Sequence, residues 1–97
     1  MHLEIKNLST NPTNAMRRAG YAFQRQERDE MSFVRPFSVS GFPRFHAYVK
    51  YEKGTLAINV HYDAKKETYG EDTRHHGEYE NEGVLKEEAE RLKKVIS

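Results

Sequence analysis

Apolar and polar residues alternate along residues 45–52 and 55–62, on either side of Lys53-Gly54. Alternation with a period of two is typical of a β-strand with one buried face, and Lys-Gly suits a two-residue hairpin turn. This turn sets a register in which one face carries only apolar or aromatic pairs: Phe45–Tyr62, Ala47–Val60, Val49–Ile58 and Tyr51–Leu56. A shift by one residue would bring charged side chains into the core, so the pattern predicts this register.

The opposite face of the same hairpin, hereafter the polar face, carries the remaining side chains. Its predicted pairs are Arg44–Asp63, His46–His61, Tyr48–Asn59, Lys50–Ala57 and Glu52–Thr55. The apolar face has to be covered by another element, whereas the polar face can contact solvent. We therefore expect the chemistry of the protein on the polar face.

An amphipathic helix is predicted near the C-terminus. Apolar residues recur there every three or four positions, which places them on one side of a helix; they are Leu85, Ala89, Leu92 and Ile96. Asn81 precedes this run and suits the N-cap. The carboxylates of the helix are expected on its solvated surface: Glu87, Glu88 and Glu90.

A second, shorter helix is predicted between Asn11 and Gly20. Asn11 suits the N-cap and Pro12 the first turn, because proline lacks an N–H that the first turn would leave unpaired. Gly20 suits the position after the last turn, where a left-handed conformation is common. Both ends of the helix are therefore marked in the sequence.

Together these elements predict one small α+β domain over residues 1–97. Further short strands are predicted at residues 3–8, 21–27 and 31–37. We expect an antiparallel sheet of three to five strands with two helices packed on one face. This is an α-β-β-β-α-like order with an extra N-terminal strand or hairpin. Residues 64–80 are predicted to form a long polar loop, and loops of that length are often functional.

Composition narrows the class of protein. Of the 97 residues, 36% are hydrophobic and 32% charged, but 11% are aromatic, which is enough for a core. The absence of cysteine excludes disulfides and thiolate chemistry. No apolar run has the length of a membrane-spanning helix, and the first residues lack the apolar segment of a signal peptide. We therefore expect a cytoplasmic protein without membrane contact.

Charge is unevenly distributed along the chain. Residues 1–66 carry 11 Lys and Arg against 6 Asp and Glu, whereas residues 67–97 carry 5 against 9. A basic body suits an anionic partner such as RNA. The acidic C-terminal arm, or an edge of the sheet, would suit a protein partner. A non-catalytic protein-interaction module is therefore one of the alternatives.

His46 and His61 are the candidate catalytic residues. Directly opposed residues in an antiparallel sheet have Cβ atoms about 4.5–5.5 Å apart, and two imidazoles at that separation suit acid and base catalysis at a phosphodiester. Candidate substrate-binding residues share or follow this face: Arg44, Tyr48, Asp63 and Lys65. The pattern favours an RNA-interacting protein, a His-dependent ribonuclease that needs no cofactor. Its cations would stabilise phosphate charge.

His75-His76-Gly77-Glu78, in the long loop, provides a different hypothesis. If the loop covers the polar face, these side chains would join His46 and His61 around one metal ion. Zinc accepts imidazole and carboxylate ligands. The alternative is therefore a zinc-binding protein or a metal-dependent hydrolase with the ligands His46, His61, His75, His76 and Glu78.

Three stretches look like parts of one protein family. Residues 18–26 look like the end of its helix and its first strand, Phe45-His46-Ala47-Tyr48 like its second strand and residues 56–61 like its third. In these stretches the chain resembles HicA-type toxins, small ribonucleases with a double-stranded-RNA-binding-like α-β-β-β-α fold. The resemblance implies His46 as the catalytic histidine, used without metal. The chain departs from the family at residues 28–43, which look like an insertion. Arg44 and Phe45 also stand where the family has Gly-Ser/Thr before its histidine.

Overall fold

Five strands form one antiparallel sheet in the computed structural model, which describes residues 1–64 and 82–96. The strands are β1 (His2–Ile5), β2 (Ala22–Glu27), β3 (Glu30–Pro36), β4 (Arg44–Glu52) and β5 (Thr55–Asp63). The helices are α1 (Pro12–Arg18) and α2 (Glu82–Ile96). Across the sheet the strand order is β1-β5-β4-β3-β2. The predicted α+β class is confirmed, with five strands.

The hairpin of β4 and β5 has the predicted register. All nine residue pairs agree with it, including His46 opposite His61. Lys53 and Gly54 form the turn with φ angles of 51° and 82°. These angles lie in the left-handed region, which two-residue hairpin turns use because it matches the twist of the strands.

Both helices lie on the apolar face of the sheet, as predicted. The centre of the core comes from the hairpin and has no exposed surface: Ala47, Val49, Leu56, Ile58 and Val60. The predicted stripe of α2 is buried with it: Leu85, Ala89, Leu92 and Ile96. Because each fully buried large aliphatic side chain stabilises the fold by about 1.5–3 kcal/mol, this layer fixes the hairpin.

Helix α1 begins and ends where the sequence indicates. The Asn11 side chain accepts a hydrogen bond of 2.8 Å from the backbone N–H of Asn14. At the other end, Gly20 has φ 94° and donates to the carbonyl of Arg17, while Tyr21 donates to that of Met16. These two bonds form a Schellman motif. The motif turns the chain from α1 into β2.

The two edges of the sheet are β1 and β2. β1 pairs with β5, which gives the N-terminal strand a partner that the sequence left unassigned. All six residues of β2 are exposed, and its pairing with β3 is interrupted by a bulge between Phe23 and Arg25. A bulge breaks the regular row of backbone groups on an edge strand and disfavours further strand addition.

One sequence expectation is wrong: Glu88 is buried, with only 4% of its surface exposed. It accepts a 2.7 Å hydrogen bond from the Tyr21 hydroxyl and two bonds of 2.9 Å from Arg91. Arg35 donates to it at 3.4 Å. Burial, followed by the Glu88 carboxylate, raises the pKa of Tyr21 far above its ordinary value. The carboxylate tolerates burial because it is paired and hydrogen-bonded.

Several expectations concern residues outside the described part of the chain. These are the N-cap Asn81, Lys65, the His75-His76-Gly77-Glu78 segment and the predicted loop beyond Ala64. Among the helices of residues 1–64 and 82–96, none is both long and apolar enough to cross a membrane.

Candidate functional site

The predicted site residues of the hairpin lie together on the polar face. β4 places Arg44, His46 and Tyr48 there at alternate positions, and β5 places His61 and Asp63 opposite them. Both strands are internal to the sheet, so their backbones are hydrogen-bonded on both sides. The five side chains therefore project from a rigid support. Within residues 1–64 and 82–96, both helices pack on the other face.

His46 is more enclosed than a residue of a solvated sheet face: only 8% of its surface is exposed. Its Nδ1 lies 3.6 Å from Oδ2 of Asp63. Its Nε2 is buried and has no hydrogen-bond partner among the described residues. Leaving a buried polar atom unpaired costs about 1–3 kcal/mol, so an unpaired atom in a buried histidine points to a ligand or a reaction.

Asp63 connects His46 to Arg44. The Nε of Arg44 donates to Oδ2 of Asp63 at 3.2 Å, and the Arg44 guanidinium lies 4.4 Å from the ring centre of Phe42. The neighbouring His46 imidazole and, secondly, Arg44 hold the pKa of Asp63 below its usual range. The carboxylate is therefore ionised at neutral pH. The carboxylate faces Nδ1 of His46, and Nε2 is the ring nitrogen that it does not contact.

Tyr48 contacts both imidazoles. Its ring stacks on His46 with centroids 4.4 Å apart and an interplanar angle of 29°. It meets His61 edge to face, at 5.6 Å and 75°. The sequence predicts Tyr48 on this face but not its contact with two histidines. The three rings form one cluster that covers His46.

A metal site does not form within the described residues. No group of three or more His, Cys, Asp or Glu side chains in residues 1–64 and 82–96 is arranged to hold a metal ion. On the polar face, His46 and Asp63 provide only a pair of such groups, with a separation of 3.6 Å. The zinc hypothesis therefore depends on His75, His76 and Glu78, which lie outside the described residues, and it stays a prediction.

A shallow depression beside Tyr48 was not anticipated from the sequence. Its walls come from β2, β3 and β4: Arg25, Glu27, Glu30, Met31, Ser32 and Tyr48. Arg25 lies opposite Ser32, and Ser32 lies opposite Tyr48. The two-residue turn at 28–29 would have predicted the pairing of Arg25 with Ser32. The mixed polarity of both faces of β2 concealed which side Arg25 occupies.

No family model, curated protein or solved structure matches the chain. The resemblance to HicA-type toxins therefore stays a prediction from three short stretches of sequence. The arrangement of the polar face itself provides the grounds for a functional hypothesis.

Proposed function

We propose that the protein binds RNA on its polar face and cleaves it with His46 and His61. The observation that carries this proposal is the buried, unpaired Nε2 of His46, directly opposed by a second histidine on the neighbouring strand. Folding does not require this arrangement, because an apolar side chain opposite His61 would avoid the unpaired atom. The basic balance of residues 1–66 suits a polyanion, and the cytoplasmic location predicted from the sequence is part of the proposal.

The reaction would be an intramolecular transesterification, in which the 2′-hydroxyl of the RNA attacks the neighbouring phosphodiester. The Nε2 of His46 removes the 2′-hydroxyl proton while the 2′-oxygen forms a bond to phosphorus. The bond from phosphorus to the 5′-oxygen breaks, and His61 gives its proton to that leaving oxygen. The products are a 2′,3′-cyclic phosphate and a 5′-hydroxyl, and no oxidant, reductant or metal is consumed.

Asp63 and Arg44 have distinct tasks in this scheme. Asp63 is a positioning residue, because it faces Nδ1 of His46 at 3.6 Å and does not reach Nε2. Arg44 is held by Asp63 through its Nε and by the ring of Phe42, so its terminal N–H groups are placed for a phosphate oxygen. A fixed cation favours the extra negative charge of the transition state.

Tyr48 has to move before RNA reaches Nε2. Its ring lies flat against His46, and the nitrogen is covered. A rotamer change of a side chain on the sheet surface takes picoseconds to nanoseconds, which is fast compared with catalysis. A nucleobase would replace one of the ring contacts that Tyr48 loses, since bases stack on aromatic side chains.

The test is cleavage of a short single-stranded RNA, measured by gel electrophoresis under single-turnover conditions. His46→Ala and His61→Ala should each lower the rate by about 10²–10⁴-fold, the usual contribution of an acid or base. His2→Ala is the matched control, because His2 lies on the same side of the sheet with its side chain 54% exposed. Unchanged cleavage in the double variant would refute the proposal.

A second candidate is a protein-interaction module that uses the β2 edge. It is favoured by one observation: all six residues of β2 are exposed. Against it, the bulge at Phe23 and Arg25 interrupts that edge. Gln26→Pro removes a backbone donor from the edge without reaching the polar face. If the edge binds a partner, this variant should lose that partner in a pull-down, whereas His46→Ala, on the polar face, should keep it; retained binding by Gln26→Pro would exclude the edge.

A further inference from the structure

The shallow depression beside Tyr48, hereafter the slot, lies over β2, β3 and β4. Arg25, Ser32 and Tyr48 lie directly opposite one another across β2, β3 and β4. Neighbouring strands are about 4.8 Å apart, so Arg25 and Tyr48 flank the small Ser32. Ser32 is 4% exposed, and its hydroxyl already donates to the Gln24 side chain at 3.0 Å. Because the Ser32 side chain is small, there is space above it.

The charged groups of the slot have no partners among the described residues. No hydrogen bond or ion pair of Arg25 is present among residues 1–64 and 82–96, although Glu27 follows it by two positions on the same strand. Glu27 and Glu30 face each other as the last pair of the β2–β3 hairpin. Like charges at directly opposed positions destabilise a sheet. Arg25 and Glu27 are exposed, so this group of one cation and two carboxylates beside an aromatic ring is accessible to a ligand.

We propose that this slot binds a guanine base of the RNA, next to the phosphate that the histidines cleave. The inference rests on the proposed function. Guanine presents O6 and N7 as acceptors, which a guanidinium binds with two hydrogen bonds. On its other edge it presents two adjacent donors, N1–H and N2–H, which suit one carboxylate. Arg25 is assigned to the acceptors, Glu30 to the donors and Tyr48 to stacking.

The other three bases do not match this set of groups. Adenine has one donor beside the N1 acceptor, so a carboxylate would face a lone pair. Cytosine has a similar edge, and uracil has one N–H between two acceptors. Only guanine offers two adjacent N–H groups to Glu30. A buried or half-buried carboxylate left without its donors loses affinity, so the slot discriminates against the other bases.

The slot adjoins the catalytic cluster through Tyr48. One side of this residue borders Arg25 and Ser32, and its ring also stacks on His46. A base bound in the slot therefore belongs to the nucleotide that carries the reacting phosphate. Movement of Tyr48 from His46 toward the base would both bind guanine and uncover Nε2. Base recognition and access to the catalytic histidine are linked through one side chain.

The test uses the four ribonucleoside 3′-monophosphates as probes, titrated into the full chain by isothermal calorimetry. The 3′-monophosphate of guanosine should bind at least about tenfold more tightly than the other three, which is within the usual discrimination of one bidentate contact. Glu30→Gln should remove this preference without weakening the other nucleotides. Glu4→Gln, another exposed carboxylate on the same side of the sheet, is the matched control and should change nothing.

Equal affinity for all four nucleotides would overturn the guanine assignment, and so would an unchanged preference in the Glu30→Gln variant. Different results would refute the slot assignment and the proposed function. If RNA cleavage depends on His46 and His61 but is indifferent to the base, only the slot assignment fails. If the histidine variants cleave as well as the native chain, the proposed function fails and the slot assignment fails with it.

Discussion

Replacing Glu88 with alanine tests whether the buried ion network holds α2 against the sheet. The variant leaves the buried Tyr21 hydroxyl without its acceptor, which costs about 1–3 kcal/mol. It also removes the partner of Arg91 and Arg35. Both arginine side chains are 34% exposed, so water replaces part of their interaction with Glu88. The loss of these ion pairs therefore costs about 1 kcal/mol. The free energy of unfolding should fall by about 2–4 kcal/mol.

Thermal unfolding followed by circular dichroism measures this effect. For a domain of this size, 1 kcal/mol shifts Tm by about 4–8 °C, so Glu88→Ala should lower Tm by about 8–32 °C. Glu87→Ala is the matched control, because Glu87 lies on the exposed side of the same helix. Its effect should stay within about 0.5 kcal/mol.

Tyr21→Phe separates the hydroxyl from the rest of the network. In the Tyr21→Phe background no orphaned hydroxyl remains, so Glu88→Ala should cost at least about 1 kcal/mol less than in the native chain. Equal effects of Glu88→Ala and Glu87→Ala would contradict a stabilising role for the Glu88 network. So would a cost of Glu88→Ala that is the same in the Tyr21→Phe background as in the native chain.

Three other predictions concern Gly20 after α1, the carboxylate of Asp63 and the ring of Tyr48. Gly20→Ala should cost about 1–2 kcal/mol in urea unfolding, since φ at this position is +94°; a neutral effect would contradict the left-handed assignment. Asp63 has a lowered pKa, so its contribution to stability is complete above the unfolded value of 3.8 and is lost as pH falls below it. Asp63→Asn should therefore lower the free energy of unfolding by less below that pH than at neutral pH. An effect of the substitution that does not change with pH would contradict this prediction. Tyr48→Ala should speed modification of His46 by diethyl pyrocarbonate and Tyr48→Phe should not; equal rates would show that the ring does not cover it.

The hairpin at the centre of the sheet could be predicted residue by residue. Its two strands alternate without exception, and Lys53-Gly54 leaves one register that keeps charges out of the core. The same pattern placed His46 opposite His61. Local signals of this kind need no knowledge of distant contacts.

The burial of Glu88 could not be predicted in the same way. Its partners Tyr21 and Arg35 lie 67 and 53 residues away in sequence, and only the folded sheet brings them to α2. A weak signal was present, because Glu88 lies three residues after Leu85 and four before Leu92, on the buried side of the helix. Carboxylates at such positions are usually solvated, so the pattern indicated the wrong environment.

The sequence predicted which side chains share the polar face, but not how they contact one another. Alternation placed Arg44, Tyr48 and Asp63 beside the histidines, but it carries no information on how side chains lean across a sheet. The stacking of Tyr48 on His46, and with it the burial of Nε2, follows from packing in three dimensions. The contacts of Asp63 with His46 and Arg44 were likewise not predicted, and its expected binding of substrate stays a prediction.

The most direct measurement of the central claim is the imidazole nitrogen spectrum of the protein, recorded by long-range ¹⁵N NMR during an RNA titration. The RNA carries methylated 2′-hydroxyls, so that it binds without being cleaved. If RNA binds at the two histidines, the signals of Nε2 of His46 and of the His61 ring should shift together and saturate, while those of His2 stay unchanged. Saturating RNA that leaves both His46 and His61 unshifted would contradict the assignment of this face as an RNA-cleaving site.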